Sequence, residues 1–308
     1  MAKRNSGHFE PFPYNHEYYA LLRIKENERF CHYEFQARSP QLPLRQELIK
    51  SLKELNDKLN LSVSTFHLAI HLLDIFMDCH EIEPQQLMLT GSTCLLLAAK
   101  YVDVDTNVPK FSHLRSLTNY CNSIHEFSLM ERMLLNFWKW DLNYSTSLDF
   151  LEHYLSCDLF KCAEGLHTNS LNNFKCQSVY LANLTLSEVN FIFFKSSVIA
   201  AACVVVARIQ FRLLPTWTNG MEILTGYSYV EIEECVQHLV HLAQITQSEC
   251  FFNHLQQQPS ALIREEPRVD CKWNLKGVSN HNCARTKRKH LIHSRDLKQM
   301  YRLTDCAM

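Results

Sequence analysis

The chain has 308 residues, 46% of them hydrophobic, with a formal net charge of −1 at pH 7, which is enough for two domains of ordinary size, each with its own core. Six glycines and nine prolines are too few for the turns of a many-stranded sandwich or barrel. The longest apolar stretch, Val198 to Ala207, falls well short of the ~18 to 20 residues that span a bilayer.

The N-terminal "MAKRNSGHFEPFPYN" has no apolar core, so no secretory leader is expected there. The stretch from His16 to Phe30 then predicts a short amphipathic helix with Tyr19, Leu22 and Ile24 facing inward. Next, "SPQLPLRQELIKSLKELNDKLN" opens on prolines and carries Leu44, Leu48, Leu52 and Leu55 at spacings of four and three, which makes one helical stripe. In "SVSTFHLAIHLLDIFMD" the stripe is Val63, Phe66, Ile70, Leu73 and Met77, with Ser62 or Ser64 available as the cap.

"EPQQLMLTGSTCLLLAAKY" starts a helix at Pro84 and is apolar on all sides from Cys94 to Ala99, the pattern of a helix enclosed by others. It ends on Lys100. Taken alone, a cation in a last turn complements the helix macrodipole, worth ~0.3 to 1 kcal/mol. "NSIHEFSLMERMLLNFWKWDL" follows with Phe127, Met130, Leu134 and Phe137 at helical spacing, and "TSLDFLEHYL" opens another helix behind it.

A second apolar helix, "SSVIAAACVVVARIQF", comes roughly 105 residues after "STCLLLAAKY" and also ends on a basic residue. We read this as an internal duplication of a five-helix unit. Its run Val204 to Val206 alone would suit a strand, and the helical context decides against one. "NSLNNFKCQSVYLANLTLSEV" and "SYVEIEECVQHLVHLAQ" supply flanking helices. The expected divisions are an N-terminal segment 1-39, a first unit 40-142, a second unit 143-250 and a loose tail 251-308.

That tail holds eleven Lys/Arg and five Asp/Glu, leaving 20 basic and 27 acidic residues in the acidic body. Its basic cluster, Arg285, Lys287, Arg288 and Lys289, reads equally as a nuclear-import signal that engages an import receptor or as a solvated charge run. The thirteen cysteines are scattered singly through apolar segments, which fits reduced thiols in the cytosol or nucleus. His67 and His71, with Asp74 beyond them, have a zinc-like spacing, and Cys157 and Cys162 lie between His153 and His167. Neither set is complete, so no metal and no cofactor is expected. No phosphate loop or nucleophile elbow is present, so catalysis is not expected either.

In order, "TFHLAIHLLDIFM", "LMLTGSTCLLLAAKYVDVDTNVP" and "LMERMLLNFWKWDL" resemble the central blocks of a cyclin box, and "RSPQLPLRQELIKSLKEL" with "VPKFSHLRSL" is most similar to the cyclin J group. The resemblance covers about residues 14 to 246. It implies an all-α chain of two tandem five-helix cyclin folds that binds a cyclin-dependent kinase as a heterodimer, around the kinase αC helix. Lys100 and Glu131 would face the kinase, with Tyr101, Leu135 and Leu142 as apolar contacts. Arg45 and Asp74 would form a buried ion pair. The substrate-docking patch of many cell-cycle cyclins falls on Leu44, Glu47, Leu48, Ser51 and Glu54, where it is degraded. A nuclear and cytoplasmic, non-catalytic regulator of cell division is the expectation, with no membrane or nucleic-acid partner. A kinase-independent adaptor and a DNA-binding transcription factor with cyclin folds are the alternatives; the acidic body and the absence of a zinc ribbon count against the latter.

Overall fold

The computed structural model of the chain describes residues 15–29, 33–117, 123–157, 168–256 and 291–292. Its first helix, α1 (Asn15–Glu28), lies ahead of a bundle made of α2 (Leu42–Leu59), α3 (Val63–Cys79), α4 (Pro84–Val102), α5 (Phe111–Leu117) and α6 (Ile124–Phe137). A second bundle follows, built from α7 (Ser147–Ser156), α8 (Thr168–Ser187), α9 (Ser196–Gln210), α10 (Asn219–Thr225) and α11 (Tyr229–Gln256).

Each bundle is organised by the helix that is apolar all round. In α4 every residue from Leu87 to Ala99 is buried, packed against α2, α3 and α6. In α9 every residue from Ser197 to Arg208 is buried, against α7, α8 and α11. A helix this apolar has no stable solvated face, so the amphipathic helices must surround it. Gly91 is placed by that packing: a Cβ there would come within 2.8 Å of Leu52 Cδ1, so the missing side chain lets α2 nest on α4.

Local chemistry starts and stops the helices where the packing needs it. The Ser62 side chain accepts from Thr65 N to open α3. Capping boxes Ser123/Glu126 and Thr146/Asp149 open α6 and α7. At the end of α4, Asp103 accepts from Thr65 Oγ1 at 2.8 Å, which ties that terminus to the start of α3.

Several sequence expectations are corrected by the packing. Ile24 is exposed: it lies two positions, or about 200°, from inward-facing Leu22, and the inward polar position is taken by Glu26 instead. Leu44 is exposed because Arg45, its neighbour, turns inward. Val63, at the first turn of α3, is exposed as well. Leu291–Ile292, in the segment read as a loose tail, forms a two-residue parallel pairing with Glu81–Ile82. Its partner strand is pre-shaped by Gln41, whose side-chain oxygen accepts from Ile82 N and whose amide donates to the Met77 and His80 carbonyls. No helix among the described residues is long and apolar enough to cross a membrane.

Candidate functional site

Lys100 stands in the last turn of α4, where the helix leaves the core after Ala99, and α6 runs beside it. Lys100 Nζ donates to Glu131 Oε1 at 2.6 Å, with the lysine side chain 44% exposed and the glutamate 15%. The ammonium also lies 5.5 Å from the centroid of the Phe111 ring on α5. Three helices therefore converge on one cation.

The magnitude of that ion pair bears on its use. A half-exposed Lys–Glu pair is worth ~0 to 1 kcal/mol, which does not account for a bundle of this size holding together. What the pairing does is fix the position of an ammonium whose side chain stays 44% exposed, with two N–H donors beyond the one used by Glu131. Beside it Tyr101, Val102 and Val104 are exposed, so a charged donor is bordered by apolar surface. Small clusters of this kind suit recognition, where charge sets register and apolar area adds affinity.

The other expected apolar contacts divide. Leu135 is partly buried against the core of the first bundle. Leu142, by contrast, is 7% exposed and belongs to that core, so it is not a contact surface. The reason is a reversal just before it: Lys139 and Trp140 both take left-handed backbone conformations, φ 52° and 63°. Trp140 N donates back to Leu135 O at 2.8 Å, closing the turn at the end of α6. The reversal sends Leu142 inward and leaves Trp140 69% exposed. Trp140 is the surface residue that the sequence reading missed; the paired tryptophans of "WKWD" were the available signal, since a tight turn cannot bury both.

The end of the second apolar helix is built differently. Arg208, the basic residue in the last turn of α9, is 1% exposed, and its Nε and Nη2 donate to the Pro215 carbonyl at 3.3 and 2.7 Å. One repeat of the duplication presents its cation; the other spends it on a loop.

Arg45 and Asp74 join α2 to α3 through two parallel bonds, Nε to Oδ1 at 2.7 Å and Nη2 to Oδ2 at 2.8 Å, with side chains 1% and 8% exposed. Gln36 Nε2 adds a third donor to Asp74 Oδ1, and Arg45 Nη1 reaches the Ser187 carbonyl at the end of α8. The pair thus reaches into the second bundle as well as linking the first two helices of the box.

Among the docking-patch positions, Leu44, Glu47 and Glu54 are exposed and Ser51 is half-buried. Leu48 is buried, its Cδ1 filling the notch at Gly91, and is unavailable to a ligand. His67 is not poised for metal: its Nε2 lies 3.0 Å from Asn183 Oδ1, and Ser147 Oγ lies 3.4 Å from its Nδ1. Burial holds both His67 and His71 down at about pKa 4, so they are neutral at pH 7. Cys157 Sγ sits 4.0 Å from His153 Nε2; Cys162, His167 and the basic cluster at 285–289 lie outside the described residues. Among the described residues, no group of three or more His, Cys, Asp or Glu is arranged to hold a metal ion.

A second polar cluster was not anticipated. Glu26 of α1 accepts from Ser197 N and from Ser197 Oγ, both at 2.7 Å, so a carboxylate from the first helix caps the amino terminus of α9. Arg23 donates to Ser197 Oγ at 2.6 Å and to the Tyr227 hydroxyl, over whose ring it also sits. Nothing in local spacing signals a cap supplied from 171 residues away.

Residues 17–143 match the family description "Cyclin, N-terminal domain" and residues 145–262 match "Cyclin, C-terminal domain". Human cyclin-J is 34% identical over 213 residues, 67% of this chain and 55% of that protein. Cyclin-J of Xenopus laevis is 32% identical over 234 residues, 72% of this chain and 61% of that protein. The mouse cyclin-J-like protein is 34% identical over 219 residues, 67% of this chain and 57% of that protein. The chain thus spans between 55% and 61% of the length of these relatives. A solved viral cyclin from herpesvirus saimiri shares the fold, with a TM-score of 0.63 at 18% identity, over 73% of this chain and 96% of that one.

Proposed function

The chain belongs to the cyclin family, whose members are regulatory rather than catalytic, and from that premise we propose that it binds and activates a cyclin-dependent protein kinase. The observation that carries this reading is the Lys100–Glu131 pair at the exposed C-terminal end of α4, just past its buried run, bordered by Tyr101, Val102 and Val104. Lys100 and Glu131 offer charged hydrogen bonds to the kinase backbone beside its αC helix. Tyr101 and Leu135 supply apolar contact, and Trp140 takes the part that Leu142 cannot.

Activation follows from differential binding. A protein kinase is competent when its β3 lysine pairs with the αC glutamate, and a ligand that fits only that arrangement shifts the population toward it. A rigid surface is required, because a partner that deforms to fit both kinase states shifts nothing. The burial of α4 up to Ala99 and the Asp103 tie at its end provide that rigidity.

Cell-cycle control is the proposed setting, in the nucleus and cytoplasm, with the 285–289 cluster as the import-receptor signal. The test is affinity purification of the chain from dividing cells followed by a histone-type phosphorylation assay. A co-purified kinase with activity supports activation. A bound but inactive kinase supports an adaptor role, and no kinase at all contradicts the proposal.

A further inference from the structure

Between the two bundles lies a cleft of about 80 Å³, closed on one side by α1 and on the others by α3, the 144–147 connection and the start of α9. A water needs ~10 to 15 Å³ of such space, so the cleft holds several waters or one small polar ligand. Its hydrogen-bonding inventory is lopsided. The two carboxylates that line it are already engaged: Asp74 by Arg45 and Gln36, Glu26 by Ser197 and Arg23.

The donors are not. Ser145, 5% exposed, has a buried hydroxyl with no hydrogen-bond partner among the described residues. Such an orphan costs ~1 to 3 kcal/mol unless something supplies its bond. The Lys25 ammonium forms no ion pair or hydrogen bond among the described residues; Asp141 and Asp149 feel its charge without reaching it. His71 packs edge-on to Tyr144, 5.5 Å between ring centroids, and makes no hydrogen bond among the described residues.

We propose that this cleft is a binding site for a small oxyanion of the phosphate class, held by the Lys25 ammonium, the Ser145 hydroxyl and an N–H of His71. A phosphate near neutral pH offers mainly acceptor oxygens and negative charge, which is what three donors beside saturated carboxylates call for. Because the site touches α1, α3 and the connection between the bundles, its occupant ties the two cyclin folds and the first helix together. It is separate from the Lys100 surface and does not depend on kinase binding.

The experiment is thermal unfolding of the full chain in sodium phosphate, against sodium chloride of equal ionic strength, for wild type, Ser145→Ala and Lys25→Gln. The expected result is a phosphate-specific rise of about 2–5 °C at about 10 mM in wild type. Lys25→Gln removes most of it. Ser145→Ala reduces it while keeping or raising the phosphate-free midpoint, since the orphan hydroxyl is gone. The general salting effect of phosphate acts equally on all three proteins, so the difference between them is the readout. A parallel arm with O-phosphoserine separates sources: an equal or larger shift identifies phosphorylated segments as ligands, and a shift with inorganic phosphate alone identifies the free ion. An equal rise in all three proteins, or none in wild type, overturns the proposal.

Discussion

Glu26 and Ser197 are 171 residues apart in sequence, yet the carboxylate of one caps the helix that the other begins, through two bonds of 2.7 Å. The first helix, which precedes the first five-helix bundle, is therefore keyed into the central helix of the second. At the far end of α1, Arg29 pairs with Asp141 and donates to the Asn143 carbonyl at 3.1 Å. One helix holds both the second fold and the connection that leads to it.

Removing that key leaves a backbone N–H, a hydroxyl and the Arg23 charge without their acceptor in a buried place. Glu26→Ala is expected to cost about 3–5 kcal/mol, the range for breaking one side of a buried charged network. Urea unfolding monitored by circular dichroism checks it. A loss below about 1 kcal/mol would mean that the cap contributes little.

Arg45 and Asp74 call for a different pair of variants. Arg45→Ala should destabilise by about 3–5 kcal/mol by stranding Asp74, whereas the apolar double change Arg45→Met with Asp74→Leu should recover most of the loss. Stability of the double variant no better than that of the single would show that the arginine's bond to Ser187 O, rather than the pair, is what matters.

The turn after α6 separates packing from recognition. Leu142→Ala should cost about 2–5 kcal/mol of stability, as for other buried leucines. Trp140→Ala should leave the midpoint nearly unchanged and weaken kinase binding. Parallel denaturation and pull-down measurements decide it; a Trp140 variant that binds as wild type would remove that residue from the interface.

Acid should weaken the fold in a defined window. His67 is held neutral, its pKa lowered by burial from 6.5 to about 4, and His71 is lowered in the same way. The unfolded chain therefore binds more protons than the folded one between those values. Stability is fully present above pH 6.5, falls as pH drops below it, and goes on falling until about pH 4. Each such group contributes a slope of ~1.4 kcal/mol per pH unit inside the window. Replacing His67 by Gln should flatten the fall between pH 6 and 5 by about one proton, read from urea midpoints at each pH. An unchanged slope would mean that His67 is protonated in the folded state.

The helices and their burial were legible because the signals are local. The enclosed runs at 94–99 and 198–207 and the 3.6-residue stripes are written in neighbouring residues. The pairing of Lys100 with Glu131 is legible only through the family resemblance: spacing alone reads Lys100 as a dipole complement, and Glu131 lies on another helix. The inward turn of Leu142 is hard to read because two consecutive left-handed residues without glycine make the reversal, and the paired tryptophans of "WKWD" are its trace in the sequence. The Glu26 cap and the contrast between Lys100 and Arg208 depend on tertiary neighbours that no window of sequence contains.

We propose that Lys100 is held outward for a partner and not for the stability of its own chain. Lys100→Glu should abolish kinase co-purification while shifting the unfolding free energy by no more than about 1 kcal/mol. The charge-swapped double variant, Lys100→Glu with Glu131→Lys, should restore the internal pair without restoring the kinase, because the ammonium is then on the wrong helix. Wild-type recovery of the kinase by folded Lys100→Glu protein would contradict the account.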